Sequence, residues 1–328
     1  MSHPIHHHTP QPAGLAGTTR TNKLPNIGKT APLALLLGVT SALLGLAPWL
    51  TTGAILPLQN LWSTQTLPAD MPLSLLPVSQ YKVTVILSLM TVGGAVAGLA
   101  VRAWAPARRR LVTWCALAGV FAVHGTATVQ AFAVVERGLE PGSRSSLYLA
   151  GLLAGALVAV VASFLSVLLL SAKSRAWATL GAGLMALPFA SWITEWAVNA
   201  TGPGDIPSAV LTGIYWLPPV LVGTALAWCG LRPASRAIVW TANLALLWLV
   251  PAIFTSVNYV LGTRITLGDL DEMALMSRQI LAATLGPQGQ AGPRVLTALA
   301  IGLAGTVALA LIRRRRMDVT TAASSAAG

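Results

Sequence analysis

Apolar residues along this chain neither alternate nor repeat on a single helical face. They run together for about 20 positions at a time, separated by short breaks rich in charge, Pro and Gly. A helix that crosses a bilayer needs roughly 20 mostly apolar residues, each rising about 1.5 Å. Eight stretches meet that requirement: Pro32–Leu56, Val83–Ala103, Leu111–Val135, Leu147–Leu170, Ala176–Asn199, Ser208–Leu231, Ala237–Val260 and Val295–Ile312. The breaks include Arg108, Arg109 and Arg110, residues 136–146, Lys173–Arg175, Thr201–Pro207 and Arg232–Arg236, groups that hydrocarbon does not tolerate unless protein or water surrounds them. The pattern predicts an all-α polytopic membrane protein of about eight transmembrane helices filling residues 31–313, with tails at 1–30 and 314–328.

Two connections are long, 57–82 and 261–294. The second opens with the Asp269 and Glu272 capping-box spacing. It continues with Leu270, Met273, Met276, Ile280 and Leu281 at near-helical intervals and stops at Gly286-Pro287. An amphipathic helix is expected there, lying in the headgroup layer or folding over the bundle as a lid. The first connection is rich in Leu and in Pro57, Pro68, Pro72 and Pro77, which predicts a packed irregular or re-entrant segment. The N-terminal tail lacks apolar periodicity and reads as disordered, and the last segment as basic and then disordered. Nothing fixes a metal geometry around His3, His6, His7 and His8, so that cluster reads as solvated.

Composition agrees with the pattern: 55% of the 328 residues are hydrophobic and 9% charged, which excludes an ordinary soluble domain. The net charge of +12 would suggest nucleic acid in a soluble protein, so its placement decides its meaning. With the N-terminus inside, Arg20, Lys23, Lys29, Arg102, Arg108, Arg109, Arg110, Lys173, Arg175, Arg232, Arg236 and Arg313–Arg316 face the cytoplasm, leaving only six basic residues outside. Such a bias in short loops predicts a plasma-membrane protein with both termini cytoplasmic. It also makes membrane lipids a partner, since anionic headgroups attract each basic residue near the surface by about 1 kcal/mol. No zinc spacing or aromatic-basic interleaving supports a nucleic-acid partner. Cys115 and Cys229 fall near cytoplasmic helix ends, where no disulfide framework is expected. The first span follows a long polar stretch and reads as an uncleaved anchor, and the excess of Arg over Lys with abundant Ala points to a GC-rich bacterial genome.

The hairpins of spans two and three, four and five, and six and seven recur at about 61 to 65 residues, aligning Pro188 and Glu195 with Pro251 and Asn258, and bringing Gln130 to the same level. All run in one direction, which predicts a parallel helical-hairpin repeat. The odd-numbered spans carry breakers near mid-depth: Pro48, His124-Gly125, Pro188 and Pro251. Beyond each breaker the span is polar. Pro218 and Pro219 interrupt span six. Proline frees a backbone carbonyl that must find another partner, so one reading is an outward-facing cavity lined by odd-numbered helices. Its candidate residues are Glu195, His124, Gln130, Asn258, Pro188, Pro218, Pro219 and Pro251. The other reading is ordinary kinks and interfacial polar ends.

Glu195 is the only acid inside a span, between Trp192 and Trp196, where a mid-membrane charge would cost roughly 2.5 to 3.5 kcal/mol. It reads as a coupling group for a proton or cation, or as an interfacial carboxylate. A lone His124 supplies neither a haem nor a copper site, and reads as a packed histidine or a proton relay. Gly94 and Gly98, Gly151 and Gly155, and Ala298 and Gly302 suit close helix packing. The chain contains no H-E-x-x-H, G-x-S-x-G or Walker loop and no paired intramembrane carboxylates, and no cofactor is expected. Three functions fit. The first is a transporter or permease subunit. The second is a non-catalytic assembly or regulatory subunit, acting with a membrane-protein partner or as a homo-oligomer. The third, with least support, is an envelope-modifying enzyme.

Overall fold

The computed structural model describes residues 27–104, 106–202, 204–263, 269–286, 289 and 291–326, with side chains between 30 and 312. The described residues form nine α-helices and one short 3-10 turn: α1 (Ile27–Leu50), α2 (Val83–Trp104), α3 (Arg109–Gly138), α4 (Ser143–Ser171), α5 (Arg175–Thr201), α6 (Ser208–Cys229), α7 (Arg236–Gly262), α8 (Leu270–Leu285) and α9 (Ala291–Ala326), with the turn at Pro68–Asp70. All but α8 are long and apolar enough to cross a bilayer, with mean hydropathies of 1.3 to 2.6, so this is a multi-pass helical membrane architecture. Residues 1–26, including the histidine cluster, lie outside the described residues. At the other end α9 runs as helix to Ala326, well past Ile312.

The hub is α2, which packs against α1, α3, α4, α5 and α7. Buried positions make up 72% of its apolar window, against 11% for α9 at the periphery. Glycine makes this possible. A Cβ on Gly94 would stand 2.3 Å from the Ser163 carbonyl oxygen of α4, and one on Gly45 of α1 would stand 2.5 Å from the Leu89 carbonyl oxygen. Helices meet backbone to backbone at such points, as small-residue packing requires. Gly98 and Gly155 serve the same α2–α4 seam, and Gly302 and the fully buried Ala298 seat α9 on its neighbours. Gly151 departs from its expected packing role, because nothing lies within 4 Å of its Cβ position.

A second group forms around α5, α6, α7 and α9, with Ala186, Val222, Leu226, Trp240, Leu247 and Ala298 as its core. Its helices stay continuous through Pro188, Pro218, Pro219 and Pro251. At one end of the bundle, here the basic end, Arg102 donates to the Ala172 carbonyl. The guanidiniums of Arg102 and Arg175 lie 4.9 and 5.4 Å from the centre of the Trp228 ring.

The opposite end carries a folded cap. The first helix stops at Leu50 rather than continuing to Leu56, so Pro48 sits two residues from its end and not at mid-depth. Thr51 and Thr52 bond back to the carbonyls of Ala47, Pro48 and Trp49, and the positive φ of Gly53 (90°) then turns the chain out of the helix. Residues 54–82 follow as the expected packed irregular segment, pairing Ile55 with Leu73 and Trp62 with Leu139 of the α3–α4 connection. Leu56, Leu76 and Val78 are buried in the main core beside Ile86, Leu89 and Met90 of α2.

The amphipathic helix expected after Asp269 is α8, and the Asp269 carboxylate accepts from the amides of Asp271 and Glu272. Met273, Met276, Ser277, Ile280, Leu281 and Thr284 form its half-buried stripe, and it packs against α7, where Ser277 meets Ser256 at 2.9 Å.

Candidate functional site

The structure does not gather the polar residues singled out by the sequence into one cavity. Each instead joins neighbouring segments. Glu195 lies at the cap end of α5 and takes two hydrogen bonds from Lys82, at 3.1 and 3.3 Å, on the threshold of α2. Trp192 and Asn199, one turn to either side on the same face, donate to the carbonyls of Gly45 and Pro48 on α1. Asn258 of α7 accepts from Thr84 of α2 at 2.8 Å. Gln130 of α3 uses both ends of its amide on the cap, donating to the Leu73 carbonyl (3.0 Å) and accepting from the Leu75 amide (2.8 Å). His124 is fully buried at the centre of α3. Its Nδ1 lies 3.3 Å from Ser163 Oγ, and its Nε2 is buried without a partner. Pro188, Pro218 and Pro219 are buried in helix packing, Pro251 is half-buried in α7, and none of the four lines the cap-end cavity described next.

The Lys82–Glu195 pair leaves side-chain exposures of 34% and 17%, so water screens it in part. Glu195→Gln and Lys82→Gln are each expected to lower stability by about 1 kcal/mol, and the double variant by little more than either. Thermal unfolding of the four proteins in detergent measures this, and fully additive losses would show that the two charges do not act as a pair.

A cavity of about 430 Å³ opens at the cap end. The cap contributes Asn60, Leu61 and Gln80, and α4 contributes Arg144, Leu147, Tyr148, Gly151 and Leu152. Leu261 ends α7 on one side, and Leu270 and Met273 of α8 cover another. This is where Gly151 faces: its missing side chain is cavity space rather than a helix contact. The walls are mostly apolar, with a few polar groups placed among them, the usual make-up of a small-molecule site.

Two glutamines of the cap show how the site is poised. Gln59 is 8% exposed and fully engaged: its amide donates to the Pro57 and Val78 carbonyls and accepts from the Tyr148 hydroxyl at 2.7 Å. Gln80 is 2% exposed, lines the cavity, and has neither its amide nitrogen nor its amide oxygen hydrogen-bonded. A buried amide left unpaired costs about 1 to 3 kcal/mol per group, and native interiors pair such groups as a rule. The Gln80 side chain forms part of the cavity wall, with both amide atoms shielded from solvent. Exposed Arg144 adds a positive charge at the start of α4.

Sequence reasoning missed Gln80, Arg144 and Asn60 because they lie outside the expected spans, and Tyr148 because it stands at the very start of one. The available signal was the presence of three glutamines, Gln59, Gln65 and Gln80, in a connection rich in Leu and Pro. Among the described residues no group of three or more His, Cys, Asp or Glu could hold a metal ion. No known protein family, curated protein or solved structure matches this chain.

Proposed function

We propose that this chain is a transporter or permease subunit of the plasma membrane that takes an amphiphilic molecule into the cap-end cavity. Both termini lie in the cytoplasm on this reading. The asymmetry of charge supports that orientation: the basic end carries Arg102, Arg108, Arg109, Arg110, Lys173, Arg175, Arg232 and Arg236 in short connections. The proline-bearing α5 and α7 pack side by side, an arrangement compatible with the parallel hairpin repeat of about 61 to 65 residues.

The unpaired Gln80 amide carries the substrate reading. Its donor and acceptor together complement an amide group, the apolar walls suit an acyl chain, and Arg144 suits a carboxylate. An N-acyl amino acid combines the three, and N-lauroylglycine is a convenient probe. Saturable binding is expected, weakened at least tenfold in Gln80→Leu, while the same variant unfolds at a higher temperature because the unpaired amide is gone. Undiminished binding in Gln80→Leu would remove the cavity from consideration, and uptake into proteoliposomes separates transport from binding alone.

The assembly reading has its own support. Glu195, Asn258 and Gln130 serve helix and cap contacts, which a scaffold needs as much as a carrier does. A stoichiometric partner in particles gently extracted from the native membrane would favour that reading, and a lone chain or homo-oligomer the carrier.

A further inference from the structure

A second opening lies at the basic end, between the start of α3 and the end of α4, with a volume of about 760 Å³. Four cationic side chains, Arg108, Arg109, Arg110 and Lys173, line it together with Thr113 and Ser171. The Arg109 Nε and Nη2 atoms are buried without a hydrogen-bond partner. Arg109 also lies close enough to Arg102 for their charges to repel.

Among the side chains described, those of residues 30–312, no carboxylate pairs with these cations: the one ion pair, Lys82–Glu195, is at the opposite end. A half-buried guanidinium with free donors, beside three exposed cations, favours an anion from outside the chain. The residue capping α3, Arg108, makes no side-chain cap bond, so the first amides of that helix have no side-chain acceptor from it. The remaining walls are apolar: Leu111, Trp114 and Leu168, with exposures of 37%, 61% and 39%, continue from the cleft onto the lipid-facing surface.

We infer that this cleft is a binding site for an anionic phosphate ester, held by Arg109 and flanked by Arg108, Arg110 and Lys173, with the apolar rim suited to the acyl chains of a phospholipid. Guanidinium and phosphate match in a two-pronged geometry that ammonium does not reproduce. The site does not depend on what the cap-end cavity binds.

Native mass spectrometry of the delipidated full chain, titrated with phosphatidylglycerol, phosphatidylcholine and inorganic phosphate, tests it. Phosphatidylglycerol is expected to bind at least about fivefold tighter than phosphatidylcholine. That preference should be lost in Arg109→Gln, partly kept in Arg109→Lys, and unaffected in Arg278→Gln at the other end of the protein. Displacement of the lipid by millimolar inorganic phosphate would confirm the phosphate site and assign it to a soluble ester instead. Equal binding of the two lipids, or an unchanged preference in Arg109→Gln, overturns the proposal. Lys173→Gln, on the α4 side of the cleft, repeats the test if Arg109→Gln fails to fold.

Discussion

Gly94→Ala is expected to destabilise the protein by about 3 kcal/mol, whereas Gly151→Ala, the same chemical change in a comparable motif, leaves stability unchanged or raises it by up to about 1 kcal/mol. The difference lies in what the new methyl group meets. At Gly94 it would come within 2.3 Å of the Ser163 carbonyl oxygen and 2.6 Å of its hydroxyl. The nearer atom is backbone, so no rotamer change relieves the clash and α2 must move away from α4. Because α2 is the hub, that displacement also loosens its seats on α1 and α5. At Gly151 there is only cavity, and the substituted helix gains the lower backbone entropy of alanine. Unfolding temperatures of the two variants in one detergent check this. A folded, undiminished Gly94→Ala protein would mean that α2 and α4 are not in backbone contact.

Gln130→Leu should release the cap. The change removes two hydrogen bonds, one to the exposed Leu73 carbonyl and one from the part-buried Leu75 amide, a loss of about 1 to 2 kcal/mol. Between those two residues, Ser74 is held by the Trp49 indole through its carbonyl and by Ala54 through its amide. With the Leu56 amide on the Pro72 carbonyl, the segment 72–76 has four anchors, and losing the one that ties it to α3 should loosen it without unfolding the helices. Hydrogen exchange across residues 54–82 is expected to quicken at least tenfold while exchange in α2 and α4 stays slow. Equal exchange in parent and variant would show that the cap holds without Gln130.

The spans were legible because a bilayer leaves so few options: continuous apolar runs of the right length, closed by charge, have essentially one structure. Six of the eight expected segments end within a few residues of a helix end; the last does not, since α9 runs on as helix through the basic residues to Ala326. Nor does the first, because apolar Ala54, Ile55 and Leu56 extend the run while Gly53 and the two threonines before it turn the backbone. Hydropathy reads the environment of a residue, and Leu56 is as buried outside the helix as it would have been inside it. The site was hidden for a related reason. Glu195, Gln130 and Asn258 stand out as polar residues among apolar ones, but a polar residue in a span records only that it has a partner. The sequence does not say whether that partner is a ligand, a lysine or a loop carbonyl. Gln80 looked ordinary because connections are expected to be polar, and only the folded cap shows that it is buried.

The contacts between α1–α4 and α5–α9 also have a mechanical meaning. Toward the cap, polar bonds span that boundary at Lys82–Glu195, Thr84–Asn258, Gly45–Trp192 and Pro48–Asn199. At the basic end the described polar contact across it is Arg102 stacked against Trp228. Like a clasp riveted along one edge and only leaning shut along the other, the two groups of helices would part with least resistance on the side where the arginines gather.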